Sequence, residues 1–292
     1  AGQFADDSMV KRVCEYLHQP PSQPFFAMAS SFYVHTPVKT RCTWLIEKYD
    51  ARIPADIPNR DKRVTYAAFV ETLDHHVGCM LDALEASGRR AQTLVVLTSD
   101  NGGHPEYAAN GPLRGSKWNL YEGGIRVPLI ASWPGTIATD ATCDRPVIGY
   151  DLLPTFVDLA GGTSNDMDGT SLRPLLMGGQ TIEDRRLIWH FPYYHPERGY
   201  AKAPETIGID DFHVSRTHPH SAIREGDYKL VHFAEDDRIE LYNLQRDLSE
   251  QHDLSRKAPQ VANRLRNRLN HELDRMHARR AVSREQRSVT SE

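Results

Sequence analysis

The chain has 292 residues, enough to bury a sizeable core in one large domain or in one domain with an appendage. Lys plus Arg number 35 against 39 Asp plus Glu, a near balance that excludes a global basic field for nucleic acid or for an anionic membrane surface. No apolar run approaches the roughly 18 residues that span a bilayer, and the first residues lack the basic-then-apolar order of a signal peptide.

Asp6, Asp7 and Ser8 open a helical pattern that carries Val10, Val13, Cys14 and Leu17 on one face and stops at Pro20 and Pro21. The acidic pair suits a helix N-terminus. Residues 24–32 predict a nearly continuous apolar strand that runs into Tyr33, Val34, His35, Thr36 and Pro37. Residues 38–61, with Pro54 and Pro58, read as loop. From residue 62 to 86, Tyr66, Phe69, Val70, Leu73, Val77, Met80, Leu81 and Leu84 recur at spacings of three and four and predict a long helix, closed by Gly88. Residues 93–98 are apolar and β-branched, as in a strand covered on both faces, and Ser99, Asp100, Asn101, Gly102 and Gly103 follow at once.

A long helix feeding a buried strand predicts a unit of an α/β domain with a mostly parallel or mixed sheet sandwiched by helices. Ligands in such sheets gather at the carboxyl ends of the strands, so His35 and Asp100, each just past a strand end, are placed to share one crevice. Residues 104–126 are rich in Gly and polar groups, and residues 128–133 predict another apolar strand, stopped by Pro134 and Gly135. Residues 151–160 and 171–177 read as short helices. Beyond Asp184 short strands replace long helices, at residues 187–190, 221–224, 228–233 and 238–242, with Glu225, Gly226 and Asp227 as a hairpin turn. An amphipathic helix over residues 259–276 and a charged, disordered tail complete the expected order. The chain is thus expected to divide into an α/β part over residues 1–183, a small antiparallel-sheet subdomain over 184–278, and a tail over 279–292.

Three clusters carry chemistry. Asp100 and Asn101 set a carboxylate beside an amide oxygen at a strand end, which suits a hard cation such as calcium or magnesium but equally suits an Asx-type turn. Lys117 lies in Leu113, Arg114, Gly115, Ser116, Lys117, a loop in which a cation and backbone N–H groups can approach an anion, although a loop lysine is ordinarily surface charge. His35 is placed by the stiff step that Pro37 imposes. Cation, lysine and imidazole together are what a tetrahedral oxyanion ester needs, namely charge neutralisation and a proton for the leaving oxygen. The four cysteines, Cys14, Cys42, Cys79 and Cys143, have neither C-x-x-C spacing nor the density of a disulfide framework, and those at 14 and 79 read as small buried hydrophobes.

Residues 25–37, 93–103 and 112–135 resemble three successive blocks of the type I sulfatases, members of the alkaline phosphatase superfamily. The most specific is Lys117, Trp118, Asn119, Leu120, Tyr121, Glu122, Gly123, Gly124, Ile125, Arg126, Val127, Pro128. Residues 221–229 and then Glu240, Leu241, Tyr242, Asn243, Leu244, Asp247, Glu250 and Leu254 resemble that family's terminal subdomain, so the likeness runs over roughly residues 5–257. It implies an alkaline phosphatase-like α/β fold and a calcium-dependent sulfuric ester hydrolase acting on a sulfated small molecule or polysaccharide. It implies that Asp100 and Asn101 are calcium ligands, that Lys117 grips the sulfate and that His35 assists departure of the alcohol. Glu122 and Arg126 are expected to shape the loop, and His104 and His190, with His195, His218 and His220, to line a substrate pocket.

The family's nucleophile is a formylglycine made from the Cys or Ser of a C/S-x-P-x-R or C/S-x-A-x-R motif, and no cysteine or serine here has that context. Its upstream aspartate pair and sulfate clamp are not recognisable either, and Asp6-Asp7 is rejected as a substitute because a helix follows it. The expectation is therefore a partial sulfatase, with the formylglycine in an upstream segment, little turnover by itself, apolar sheet surface left open, and a periplasmic or secreted parent. Two alternatives stand beside it: a phosphodiesterase or phosphonate monoester hydrolase of the same superfamily, and a non-catalytic protein that binds sulfated ligands.

Overall fold

The computed structural model describes residues 2–179, 182–193 and 218–281. Its amino-terminal part is built on one long helix. Helix α1 (Ser8–His18) starts at Asp7, whose carboxylate accepts the N–H groups of Met9 at 2.9 Å and Val10 at 3.0 Å, satisfying two of the helix's orphan donors. Helix α2 (Thr43–Asp50) occupies part of the stretch expected to be loop, and helix α3 (Arg60–Ala86) fulfils the long periodic pattern. Both shorter helices pack on α3: Leu17 of α1 meets Ala83 and Leu84, and Leu45 of α2 with Cys42 meets Ala68. Gly88 ends α3 at φ +71°, a left-handed conformation that a residue without Cβ adopts freely. All four cysteines are free thiols.

Strand β1 (Val95–Thr98) pairs with strand β2 (Leu129–Ser132), and the pairing is antiparallel, from Val95 opposite Ser132 to Thr98 opposite Leu129. The α/β class holds, but the first sheet has two strands and an antiparallel ladder where a parallel or mixed one was expected. Residues 24–32 are irregular rather than a strand, because among the described residues no neighbouring strand offers them a hydrogen-bonding ladder. Phe25 still packs beside Val13 and Val95. Phe26 meets the Phe156 ring yet is 69% exposed, Met28 is 78% exposed and Leu97 on β1 is 39% exposed, so β1 is not covered on both faces as expected. Short helices α4 (Glu122–Ile125), α5 (Leu152–Leu159) and α6 (Arg173–Leu176) follow, and the fully buried Asp151 before α5 pairs with Arg185 at the entry to the second sheet.

That second sheet is antiparallel with strand order β3 (Arg186–Phe191), β4 (His220–Glu225), β5 (Tyr228–Phe233), β6 (Ile239–Asn243), and Gly226 at φ +58° makes the tight turn between β4 and β5. Side chains alternate between its faces. Ile223, Leu230 and Leu241 meet Ala262, Leu265, Leu269 and Leu273 of helix α7 (Pro259–Arg275). Ala222, Val231 and Tyr242 point the other way and meet Leu120 and Tyr121. The sheet is therefore sandwiched between α7 and the loop that carries Lys117. Of the tail, Arg279 accepts from His190 and Arg280 bonds Asn270 and Asp274, so its first residues are held rather than disordered, and residues 282–292 lie outside the described ones. Among the described residues no helix is long and apolar enough to cross a membrane.

Candidate active site

His35 is aimed by α3 and by its own turn. The ring of Tyr33 packs on Phe69 and His76 of α3, and the His35 N–H closes a turn onto the Phe32 carbonyl at 3.2 Å. The His35 Nδ1 lies 2.7 Å from the Thr36 carbonyl, which can only accept, so Nδ1 carries the proton. That leaves Nε2 bare, and it lies 3.0 Å from the Nζ of Lys117, 82 residues away. An ammonium only donates, so the resting pair is Lys117 N–H to His35 Nε2.

The Lys117 loop is fixed from beneath by the segment after β1. The Lys117 N–H bonds the Gly103 carbonyl at 3.1 Å, and the Gly102 N–H bonds the Gly124 carbonyl at 2.9 Å. Gly102 must be glycine here, since a Cβ would lie 1.8 Å from the Gly123 carbonyl oxygen. Asn110 ties the two segments with its amide, bonding Gly103 at both N–H and carbonyl and Gly115 at 3.3 Å. Trp118 sits at φ +76°, a conformation that costs a bulky residue roughly 1–3 kcal/mol, with the Lys117 ammonium 5.5 Å from its ring.

From above, the loop is held by the second sheet. The Leu120 N–H donates to His220 Nε2 at 2.9 Å while His220 Nδ1 lies 2.6 Å from the His218 carbonyl, so this fully enclosed imidazole is a neutral bridge. Burial pulls its pKa down to about 4. The Tyr121 hydroxyl donates to Glu240 at 2.5 Å, and Arg114 donates to the Tyr242 hydroxyl at 2.8 Å and to the Glu250 carbonyl at 3.0 Å with its guanidinium 4.1 Å from the Tyr121 ring. Deepest of all, Lys229 of β5 lies 2.9 Å from Glu122 and 2.9 Å from Glu250, and the Glu122 N–H donates to Glu250 at 2.6 Å. Burial raises the Glu122 carboxyl, but Lys229 with Arg224 and Arg126 outweighs it, and the net direction is down. At Glu250 burial prevails over Lys229 and the net direction is up.

His104, buried beside the loop, accepts the Glu106 N–H on Nδ1 at 3.2 Å and stands edge-on to Trp118, with ring centroids 5.0 Å apart. Burial is the main cause that lowers its pKa to about 4, and Lys117, Lys62 and His35 push the same way. His104 is therefore a neutral imidazole at the back of the His35–Lys117 pair. His190 is elsewhere: its ring nitrogens lie 2.7 Å from the Ser221 hydroxyl and 2.7 Å from the Arg279 carbonyl, so it serves the second sheet and is not brought to the pair. His218 pairs with Glu235, and His195 lies outside the described residues. Asp100 is exposed and Asn101 half-buried, directly before the Gly102 and Gly103 peptides that bond the Lys117 loop. Their oxygens suit calcium in type, yet two are few against the roughly six to eight that calcium takes, and among the described residues no group of three His, Cys, Asp or Glu could hold a metal.

The clamp has no motif of its own in the sequence. Lys229 and Glu250 lie inside runs that resemble the family's terminal subdomain, and a lysine two residues before Val231 and four before Phe233 on an enclosed strand face is itself a signal of a buried ion pair.

Comparison with known proteins places the chain in a family. The family model described as Sulfatase matches residues 2–162, and the one described as N-sulphoglucosamine sulphohydrolase, C-terminal, matches residues 116–279. A sulfatase of Formosa agariphila is 36% identical over 252 residues, covering 81% of this chain and 43% of that protein. Human arylsulfatase D is 29% identical over 229 residues, covering 73% of this chain and 36% of that protein. The crystal structure of Ps i-CgsB superposes with a TM-score of 0.72 at 25% identity, covering 90% of this chain and 53% of that one, and the same protein has been solved in complex with k-i-k-neocarrahexaose. The chain thus spans less than half the length of these two sulfatases and about half that of Ps i-CgsB. With one family model over more than half of its residues and a relative 36% identical over 81% of its length, the chain belongs to the sulfatase family.

Proposed function

We propose that this chain carries the sulfate-binding and leaving-group side of a sulfuric ester hydrolase, acting on a sulfated carbohydrate or an aryl sulfate. The observation that carries the reading is the 3.0 Å approach of Lys117 Nζ to His35 Nε2, which sets one permanent cation and one titratable imidazole at a single point on an otherwise charge-balanced protein. A sulfate ester presents three oxygens that share one negative charge and a bridging oxygen that becomes an alkoxide on cleavage. Lys117 would turn its N–H from the imidazole to a sulfate oxygen, where it stabilises charge in the transition state. His35, once it holds a proton on Nε2, would donate it to the bridging oxygen as the alcohol leaves. The Thr36 carbonyl keeps Nδ1 occupied, so the proton exchanged is the one on Nε2.

Asp100 and Asn101 would supply two oxygen ligands to a calcium ion, which when bound lowers the charge on the sulfate oxygens. The attacking group is not assigned to any residue of this chain. The test is calorimetric titration of the chain with inorganic sulfate and with para-nitrophenyl sulfate, calcium present. Lys117→Ala is expected to weaken binding at least about 10-fold, the worth of one charge-assisted contact, and His35→Ala to weaken the aryl ester more than free sulfate. Equal affinity in wild type and Lys117→Ala would overturn the assignment.

A further inference from the structure

We infer that Lys229, in the middle of the second sheet, is a positioning residue that holds Lys117 against His35 through the Glu122–Lys229–Glu250 ion triad; the inference deepens the sulfate-ester reading and rests on it.

Lys229 does not reach the Lys117–His35 pair, so its influence has to pass through the loop. Residues 114–124 form one closed unit that cannot deform piecemeal. The Gly123 N–H bonds the Arg114 carbonyl at 2.7 Å, the Gly124 N–H bonds the Tyr121 carbonyl at 2.9 Å, and Ser116 and Asn119 bond each other in both directions. A Cβ on Gly124 would lie 2.0 Å from the Asn119 carbonyl oxygen, which shows how closely the two arms of the unit approach. Displacing Glu122 therefore displaces Lys117.

Glu122 is set by charge rather than by packing. Its carboxylate meets the Lys229 ammonium at 2.9 Å, and its own N–H is taken by Glu250 at 2.6 Å, so Glu250 and Lys229 grip the same residue at backbone and side chain. Lys229 and Glu250 are 0% exposed, and a charge pair shut away from solvent has one low-energy arrangement where a surface pair has many. Other contacts between sheet and loop, Arg114 with Tyr242, Leu120 with His220 and Tyr121 with Glu240, act on either side of Lys117 and fix the tilt of the unit. The triad fixes its depth, because it joins the end of the loop to the start of β5, an inner strand of the sheet.

The experiment uses the full chain labelled with nitrogen-15 in histidine. Lys117→Met first defines how far the His35 Nε2 resonance moves when its ammonium partner is removed. Lys229→Met leaves two enclosed carboxylates facing each other and can fail to fold, so Lys229→Met/Glu250→Gln is measured beside it; there Glu122 keeps Arg126 at 3.6 Å as a partner. The expected result is that the folded double variant reproduces most of the Lys117→Met displacement of the His35 signal and weakens inorganic sulfate binding by about 10-fold or more. Leu265→Ala, which loosens α7 on the opposite face of the same sheet, is expected to leave the signal in place. A double variant that unfolds cooperatively and keeps the wild-type His35 resonance would overturn the positioning role, as would a Leu265→Ala signal displaced equally far. If the His35 signal moves as expected while wild type binds no sulfate, the positioning stands and the sulfate-ester reading is what fails.

Discussion

His220 and His104 are both kept neutral by enclosure, each with a folded pKa near 4 against about 6.5 when unfolded, and this has a signed consequence. Above about pH 6.5 both states are neutral at these rings and the full stability is present. As pH falls below that, the unfolded chain takes up protons the folded chain refuses, so stability drops until the folded rings protonate near pH 4. Each group contributes up to roughly 3 kcal/mol over that window. Replacing His220 by Gln keeps a donor and an acceptor but removes the titration. Urea unfolding at about pH 7 and about pH 4.5 is therefore expected to show a smaller loss in His220→Gln than in wild type, by about 2 kcal/mol, and equal losses would show that His220 titrates normally. His35 and Lys117 stand out in residue order because each lies in a short motif, whereas His104 is pointed to only by the family resemblance. His190, which the resemblance alone implies, bonds Ser221 and Arg279, since a histidine's partners depend on strand pairing that its neighbours in sequence do not reveal.

The loop of residues 114–124 also depends on its small residues. Gly124→Ala places a Cβ 2.0 Å from the Asn119 carbonyl and 2.5 Å from the Ser116 carbonyl, both backbone atoms, so the loop must open. We expect a loss of roughly 2–4 kcal/mol in urea unfolding together with weaker sulfate binding. Gly78, in the middle of α3, has nothing within 4 Å of such a Cβ, so Gly78→Ala is expected to stabilise the chain by about 0.5–1 kcal/mol through helix propensity. A destabilised Gly78→Ala, or a neutral Gly124→Ala, would contradict these contacts. Helices α1, α3 and α7 and strands β3 to β6 were legible because periodicity reports a buried face. Helix α2 was not, since it buries only Leu45 along its length and sits between prolines. Residues 24–32 have the composition of a strand, but a strand is a pairing, and composition does not state whether a partner is there.

Across the molecule, apolar surface is distributed unevenly. Phe26, Met28 and Phe32 on residues 24–32 stand open to solvent, as do Leu129 and Ile130 on β2. An exposed apolar region of this kind binds hydrophobic dyes and favours association. The chain is expected to enhance anilinonaphthalene sulfonate fluorescence at neutral pH while folded, and Met28→Ser, at a position 78% exposed, to reduce that signal with a change in unfolding free energy within about 0.5 kcal/mol. No dye binding by the folded wild type would count against this surface. The glycine-containing loop that presents Lys117 and the small antiparallel sheet could both be read from residue order, because each is a local pattern contained in consecutive side chains. The meeting of Lys117 with His35 and the clamp of Glu122 by Lys229 and Glu250 needed the folded chain. Those partners lie 82 to 128 positions apart, and distance along the backbone carries no information about which buried charge will face which.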